Sequence, residues 1–227
     1  MRKKWVIPSV GAEFVWQMED VLAVYARPYD PKQPVVCLDE MPVQLIAEKR
    51  RPLPAQPGKP ERYDYEYRRN GTRNLFVFFQ PLAGWRHVWI TERRTKKEYA
   101  HALRYLVDEA FPEAEVVVVV QDNLNTHTPA ALYETFEPAE ARRILERLEF
   151  HYTPKHGSWL NMVEIELGIL SEQCLDRRNP YEDTLRREIA AWVAARNEQR
   201  ATVHWRFDIP DARTKLARLY PNLSESP

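Results

Sequence analysis

EVVVVVQDNLNTH, residues 115–127, decides the architecture of this chain. Its five consecutive valines, Val116 to Val120, leave no polar alternation. A continuous β-branched run of this length reads as a central strand covered on both faces. The run ends on Gln121 and Asp122, and an acid that closes a buried strand is costly unless it is paired, capping or metal-bound. The plain alternative is that Asp122 opens an Asx-type turn in DNLNTH. Helical periodicity lies on both sides. Thr95 to Phe111 places Tyr99, Leu103, Leu106 and Val107 on one side, and Thr95 with Glu98 forms a capping box. A second helical stretch covers residues 129–147.

Further out, VVCLD (35–39) and VQLIAE (43–48) read as strands on either side of Pro42, as a hairpin or one bent strand. TRNLFVFFQ (72–80) and WRHVWIT (85–91) continue as an antiparallel meander, and EFHYTP (149–154) adds a short strand. Before them Ala12 to Arg27 repeats Phe14, Val15, Met18, Val21, Leu22 and Tyr25 at helical spacing. After them come helices from Trp159 to Cys174 and, opened by Pro180, over residues 181–199. Residues 51–71, with prolines at 52, 54, 57 and 60, read as an irregular surface excursion. The order predicts an α/β fold with a mixed sheet of about five strands flanked by helices. The domain plan is an N-terminal helix and linker (1–34), a main domain (35–200) and a C-terminal extension (201–227).

The 227 residues carry 33 basic and 33 acidic side chains, so no overall field draws the chain to a polyanion and nucleic-acid contact has to be local. Eighteen prolines against six glycines favour stiff connections. Cys37 and Cys174 fit no disulfide or metal spacing, which predicts a reducing, cytoplasmic setting. No signal peptide or membrane span is legible.

Three acids stand out together. Asp39 closes the first strand, Asp122 closes the valine strand, and ligand sites of open α/β sheets lie beyond the carboxyl ends of strands. Glu164, in HGSWLNMVEIELGIL (156–170), lies beside the apolar stripe of Leu160, Val163, Leu167 and Leu170. Asn161 with Glu164 also fits a capping-box variant, and Glu166 on the opposite flank is the rival acid. Hard divalent cations take such oxygen ligands, and two ions roughly 3.5–4 Å apart can clamp the attacking and leaving oxygens of a phosphoryl displacement. For DNA contact, Arg68, Arg69 and Arg73 alternate with Tyr63, Tyr65 and Tyr67, setting charge beside stacking surface. His127, His156 and Trp159 are further candidates for phosphate or base contact, set against structural roles for each.

CLDE (37–40), VVQDNLNTH (119–127) and HGSWLNMVE (156–164), with WRFDIPDARTKLARLYP (205–221), resemble the DDE transposases of bacterial insertion sequences in the mariner superfamily. The resemblance implies a ribonuclease H-like fold with Asp39, Asp122 and Glu164 as catalytic metal ligands for Mg2+ or Mn2+, two ions in the family's usual chemistry. It implies DNA cleavage and strand transfer at insertion-sequence ends, DNA as partner, a homodimer, and a bacterial, nucleoid-associated location. The family's helix-turn-helix region has no counterpart ahead of Asp39, so a separately encoded helix-turn-helix polypeptide is a candidate partner. Two alternatives stand beside this: a ribonuclease H-like nuclease that is not a transposase, and an inactive or domesticated fragment that binds DNA or dimerises.

Overall fold

In the computed structural model, which describes residues 11–60, 62 and 64–221, the valine run forms β4 (Val117–Gln121), buried at every position. It lies between β1 (Val35–Glu48) and β5 (Leu148–Tyr152), parallel to both. On its other side β1 pairs antiparallel with β2 (Tyr67–Gln80), which pairs with β3 (Trp85–Thr91), giving the order β3-β2-β1-β4-β5. Strand alternation splits the valines between two cores. Val118 and Val120 join the side of α1 (Ala12–Tyr25), α5 (Val163–Leu170), α6 (Glu182–Glu198) and α7 (Ile209–Lys215). Val117 and Val119 join that of α2 (Lys96–Tyr105), α3 (Ala130–Thr135) and α4 (Pro138–Leu145). Each such valine contributes about 1.5–3 kcal/mol relative to exposure. The mixed sheet of five strands flanked by helices is the one expected.

Boundaries differ in instructive ways. The two segments around Pro42 form one strand, bent by an irregularity between Gln44 and Ile46, where the Ile46 amide donates to the Asn179 carbonyl (2.9 Å). Pro42 is tolerated because β1 pairs with β4 only as far as Cys37, so beyond that point it has a partner on one side alone. β2 starts at Tyr67, so the end of the expected excursion is strand; Leu53 and Arg62 pair across the remainder. The helical stretch 129–147 breaks at Phe136 and Glu137, because Pro138 has no amide to continue a helix but suits the first turn of the next. The helix expected from Trp159 is a 3-10 turn, Ser158–Leu160, then α5 and a π turn, Ser171–Leu175. The Thr95–Glu98 capping box is present.

The terminal segments are integral to the core. Phe14, Met18, Val21, Leu22 and Val24 of α1 pack in the same cluster as Ala212 and Leu219. Arg213 and Tyr220 both bond to Glu19 (2.8 Å each), so the C-terminal segment is strapped onto α1.

Candidate active site

The parallel register of β1 and β4 pairs Val35 with Val118 and Cys37 with Val120. The pairing ends there; continued two residues, the same register would run to Asp39 on β1 and to Asp122, one residue past the end of β4. Asp39 is therefore not the end of its strand. β1 runs on to Glu48 beside β2, and the rim of the site exists because β4 stops at Gln121.

The approach to Glu164 is pinned to that rim. The Asn161 amide donates to the Leu38 carbonyl (3.0 Å), the Tyr25 hydroxyl donates to the Leu160 carbonyl (2.7 Å), and the Met162 amide donates to the Tyr25 hydroxyl (3.3 Å). Glu164 thus leaves the first turn of α5 next to the residue that precedes Asp39. The Asn161 capping box is not formed: the helix cap is Met162, without a side-chain bond, and the Asn161 side chain gives its nitrogen to the Leu38 carbonyl while its oxygen accepts from the Val163 amide at 3.4 Å.

Electrostatics tie the three acids together. Burial raises the Asp39 carboxyl to about 7; the Glu40 amide bonded to it (2.8 Å) opposes the rise, and the charges of Asp122, Glu164 and Glu40 add to it. Partial desolvation likewise raises Glu164, whose side chain is otherwise exposed, with the Ser158 hydroxyl opposing and the charge of Asp122 adding. Glu166 has a different fate. It is fully buried and ion-paired with Arg86 (2.9 Å), itself fully buried, and with Arg196 (2.7 Å). Its carboxylate joins α5 to β3 and α6 and is closed to solvent.

His127 does not face outward, as a phosphate or base contact would require. Its side chain is 0% exposed, with Nδ1 on Asp122 Oδ1 (2.6 Å), Nε2 on Glu40 Oε1 (2.6 Å) and the ring stacked on Tyr99 at 4.8 Å. Burial alone would lower its pKa, but the hydrogen bonds and charges of Asp122 and Glu40 raise it to about 9. Glu40 is buried, and among the described residues its Oε2 has no hydrogen-bond partner. Sequence reading missed this link. The turn that returns position 127 to Asp122 was readable from DNLNTH, but nothing in the sequence pointed to Glu40.

The other candidates divide. Arg68 and Arg69 are exposed on the outer half of β2, their side chains bonded among the described residues to Asn70 (3.1 Å) and the Tyr67 hydroxyl (3.4 Å), beside Tyr65 (85% exposed) and Tyr67 (44%). Arg73 is instead paired with Glu182 (2.5 Å) and Glu92 (3.8 Å), which makes it a tie to α6 rather than a free cation. Tyr63 lies outside the described residues. His156 is exposed with φ 67°, a left-handed backbone uncommon for a non-glycine residue. Trp159 is 43% exposed and stacks at 6.5 Å on Trp205, while Trp85 packs edge-on against Phe111 at 4.9 Å in the opposite core. Asn123 bonds to the Thr153 carbonyl (3.2 Å).

Among the described residues, no three His, Cys, Asp or Glu side chains converge as a ready-made chelate. The donor chemistry nevertheless suits a hard divalent cation. Burial lifts Asp39 and the charges of Asp122 and Glu164 add to the rise, and a cation among these carboxylates would relieve that repulsion. Among the described residues, no helix is long and apolar enough to cross a membrane.

No curated protein matches the chain. Among solved structures, the Mos1 transposase paired-end complex with left transposon end matches with TM-score 0.59 at 18% identity, over 88% of this chain and 62% of that one. The Mos1 strand transfer complex matches with TM-score 0.59 at 17% identity, over 88% and 60%. The Mos1 mariner paired-end complex with Mn matches with TM-score 0.58 at 19% identity, over 88% and 61%. The chain thus spans about three fifths of the length of these proteins and shares the fold of that portion. The sequence model described as DDE superfamily endonuclease matches residues 34–186, from the start of β1 into α6 and across all three acids. The chain belongs to the DDE superfamily of endonucleases.

Proposed function

We propose that the chain is the catalytic domain of a transposase, centred on residues 35–200, in which Asp39, Asp122 and Glu164 hold two divalent ions for DNA cleavage and strand transfer. What supports this is that Asp39 lies on β1 and Asp122 just past the end of the neighbouring parallel strand β4, with the charges of Asp122 and Glu164 adding to the burial that raises Asp39. Similar structures described with Mn and with Mg support Mg2+ or Mn2+ as the ion. Bound there, such ions would polarise a phosphodiester and stabilise the attacking and leaving oxygens. The protein's own work is to orient these carboxylates and to keep Glu166 out of the site through its pairing with Arg86 and Arg196.

In the first reaction a water oxygen attacks phosphorus and the bond to the 3′ oxygen breaks, freeing a 3′-hydroxyl. In the second that hydroxyl attacks a target phosphodiester, forming one phosphodiester as another opens. Arg68 and Arg69, flanked by Tyr65 and Tyr67, track the DNA, and His156 and Trp159 meet it beside Glu164. The working form is a homodimer, and sequence-specific recognition of transposon ends belongs to a helix-turn-helix element outside residues 35–200. A strand-transfer assay with pre-cut ends tests the reading. Joining should require Mg2+ or Mn2+ and fall at least about 100-fold in Asp122→Asn, a loss of at least about 2.7 kcal/mol in transition-state stabilisation. Undiminished joining by that variant rejects the mechanism.

A further inference from the structure

One imidazole joins the two strands that carry the aspartates. Glu40 follows Asp39 on β1, and strand alternation turns the two side chains to opposite faces of the sheet. Asp122 lies one residue past the end of β4. His127 reaches both, with Nε2 on Glu40 and Nδ1 on Asp122 at 2.6 Å each. The ring has little freedom to swing. Its own amide donates to the Leu124 carbonyl (2.9 Å), Tyr99 covers one face, and the Tyr99 hydroxyl donates to the buried Gln121 side chain (2.9 Å).

At Asp122 the consequence is directional. Oδ1 is ion-paired with His127 Nδ1 (2.6 Å), which also lies 3.3 Å from the Asp122 carbonyl, and it accepts from the Leu124 amide (3.2 Å), while among the described residues Oδ2 has no partner. We propose that Glu40 and His127 are a positioning pair that clamps Asp122 through Oδ1, so that Oδ2 is the oxygen presented to a divalent cation. The clamp also sets the separation of Asp122 from Asp39, because Glu40 and Asp39 share one stretch of backbone. This rests on the reading of Asp122 as a metal ligand, and supporting hydrogen bonds of this kind typically change metal affinity about 10–100-fold when removed.

The test is Mn2+ titrated into the full chain without DNA, with free Mn2+ followed by its paramagnetic resonance signal and folding checked by thermal melting. His127→Leu should weaken Mn2+ binding about 10–100-fold. His127→Asn, whose amide stands near the former Nδ1 and still donates to Asp122 but no longer reaches Glu40, should weaken binding by about 10-fold at most and less than His127→Leu. His127→Gln, whose amide stands near the former Nε2, should behave like His127→Leu. A side chain that merely filled the core would not produce that order, so equal Asn and Gln variants, or wild-type affinity in both Leu and Gln, overturn the clamp. Glu40→Gln keeps the volume and supplies the test if a His127 variant does not fold; about 10-fold weaker binding supports the clamp and unchanged binding overturns it. Asp122→Asn separates the two levels: Mn2+ binding as tight as wild type there refutes the ligand assignment itself, whereas binding abolished there but retained in His127→Leu refutes only the positioning pair.

Discussion

Asp39 holds its charge against burial and against three neighbouring carboxylates. Its folded pKa of about 7 lies above the ordinary value of 3.8, so the native state keeps this proton longer than the unfolded chain does. Ionising Asp39 therefore removes stability as pH rises from about 4 through about 7, and the full penalty applies above that. Asp39→Asn should melt at a higher temperature than wild type in EDTA at pH about 8, and at the same temperature at pH about 4. An equal melting temperature at both pH values would show that Asp39 carries no such burden. Strain of this kind, where a cation is expected, is what separates Asp39 from the many strand-borne aspartates that are merely solvated.

α5 carries two glutamates with opposite duties, two positions apart. Glu164 is exposed at the rim, whereas Glu166 is sealed between Arg86 of β3 and Arg196 of α6. Removing one member of a buried ion pair leaves an uncompensated charge and costs about 3–5 kcal/mol. Glu166→Gln should lose about that much in urea unfolding, while Glu164→Gln should unfold like wild type and yet lose joining activity. If the stability loss fell on Glu164→Gln instead, the two assignments would be exchanged. The helix periodicity already placed these residues on different flanks, but Arg86 is 80 positions from Glu166 and their pairing left no local trace.

Across the whole molecule, net charge is zero, so affinity for DNA has to come from a local surface. Each side chain that no longer neutralises a phosphate should reduce the slope of log affinity against log salt by about 0.9. Replacing Arg68 and Arg69 together with alanine should therefore flatten that slope by about 2 in filter-binding or anisotropy titrations. Arg73→Ala should leave the slope alone, because Arg73 is tied to Glu182. A slope unmoved by the double variant, or moved mainly by Arg73→Ala, would place the DNA path elsewhere. Residues of α1 and of 201–221 share one hydrophobic cluster on one face of the sheet.

Patterns between near neighbours in the chain are legible in the sequence alone. The valine strand, the Thr95 capping box, the meander and the three acid-bearing motifs all rest on hydrophobic period, capping chemistry or short strings of residue types, which local sequence carries directly. Strand ends, the fate of Pro42 and the partners of Glu40, His127, Glu166 and Arg73 were not readable, because each depends on which segment lies alongside. Pro42 fits within β1 only because β4 stops short of it. Glu40 and His127, 87 positions apart, meet only because β1 and β4 are neighbours. Such pairings are set by chain packing, and a side chain's residue type does not say which distant backbone will deliver its partner.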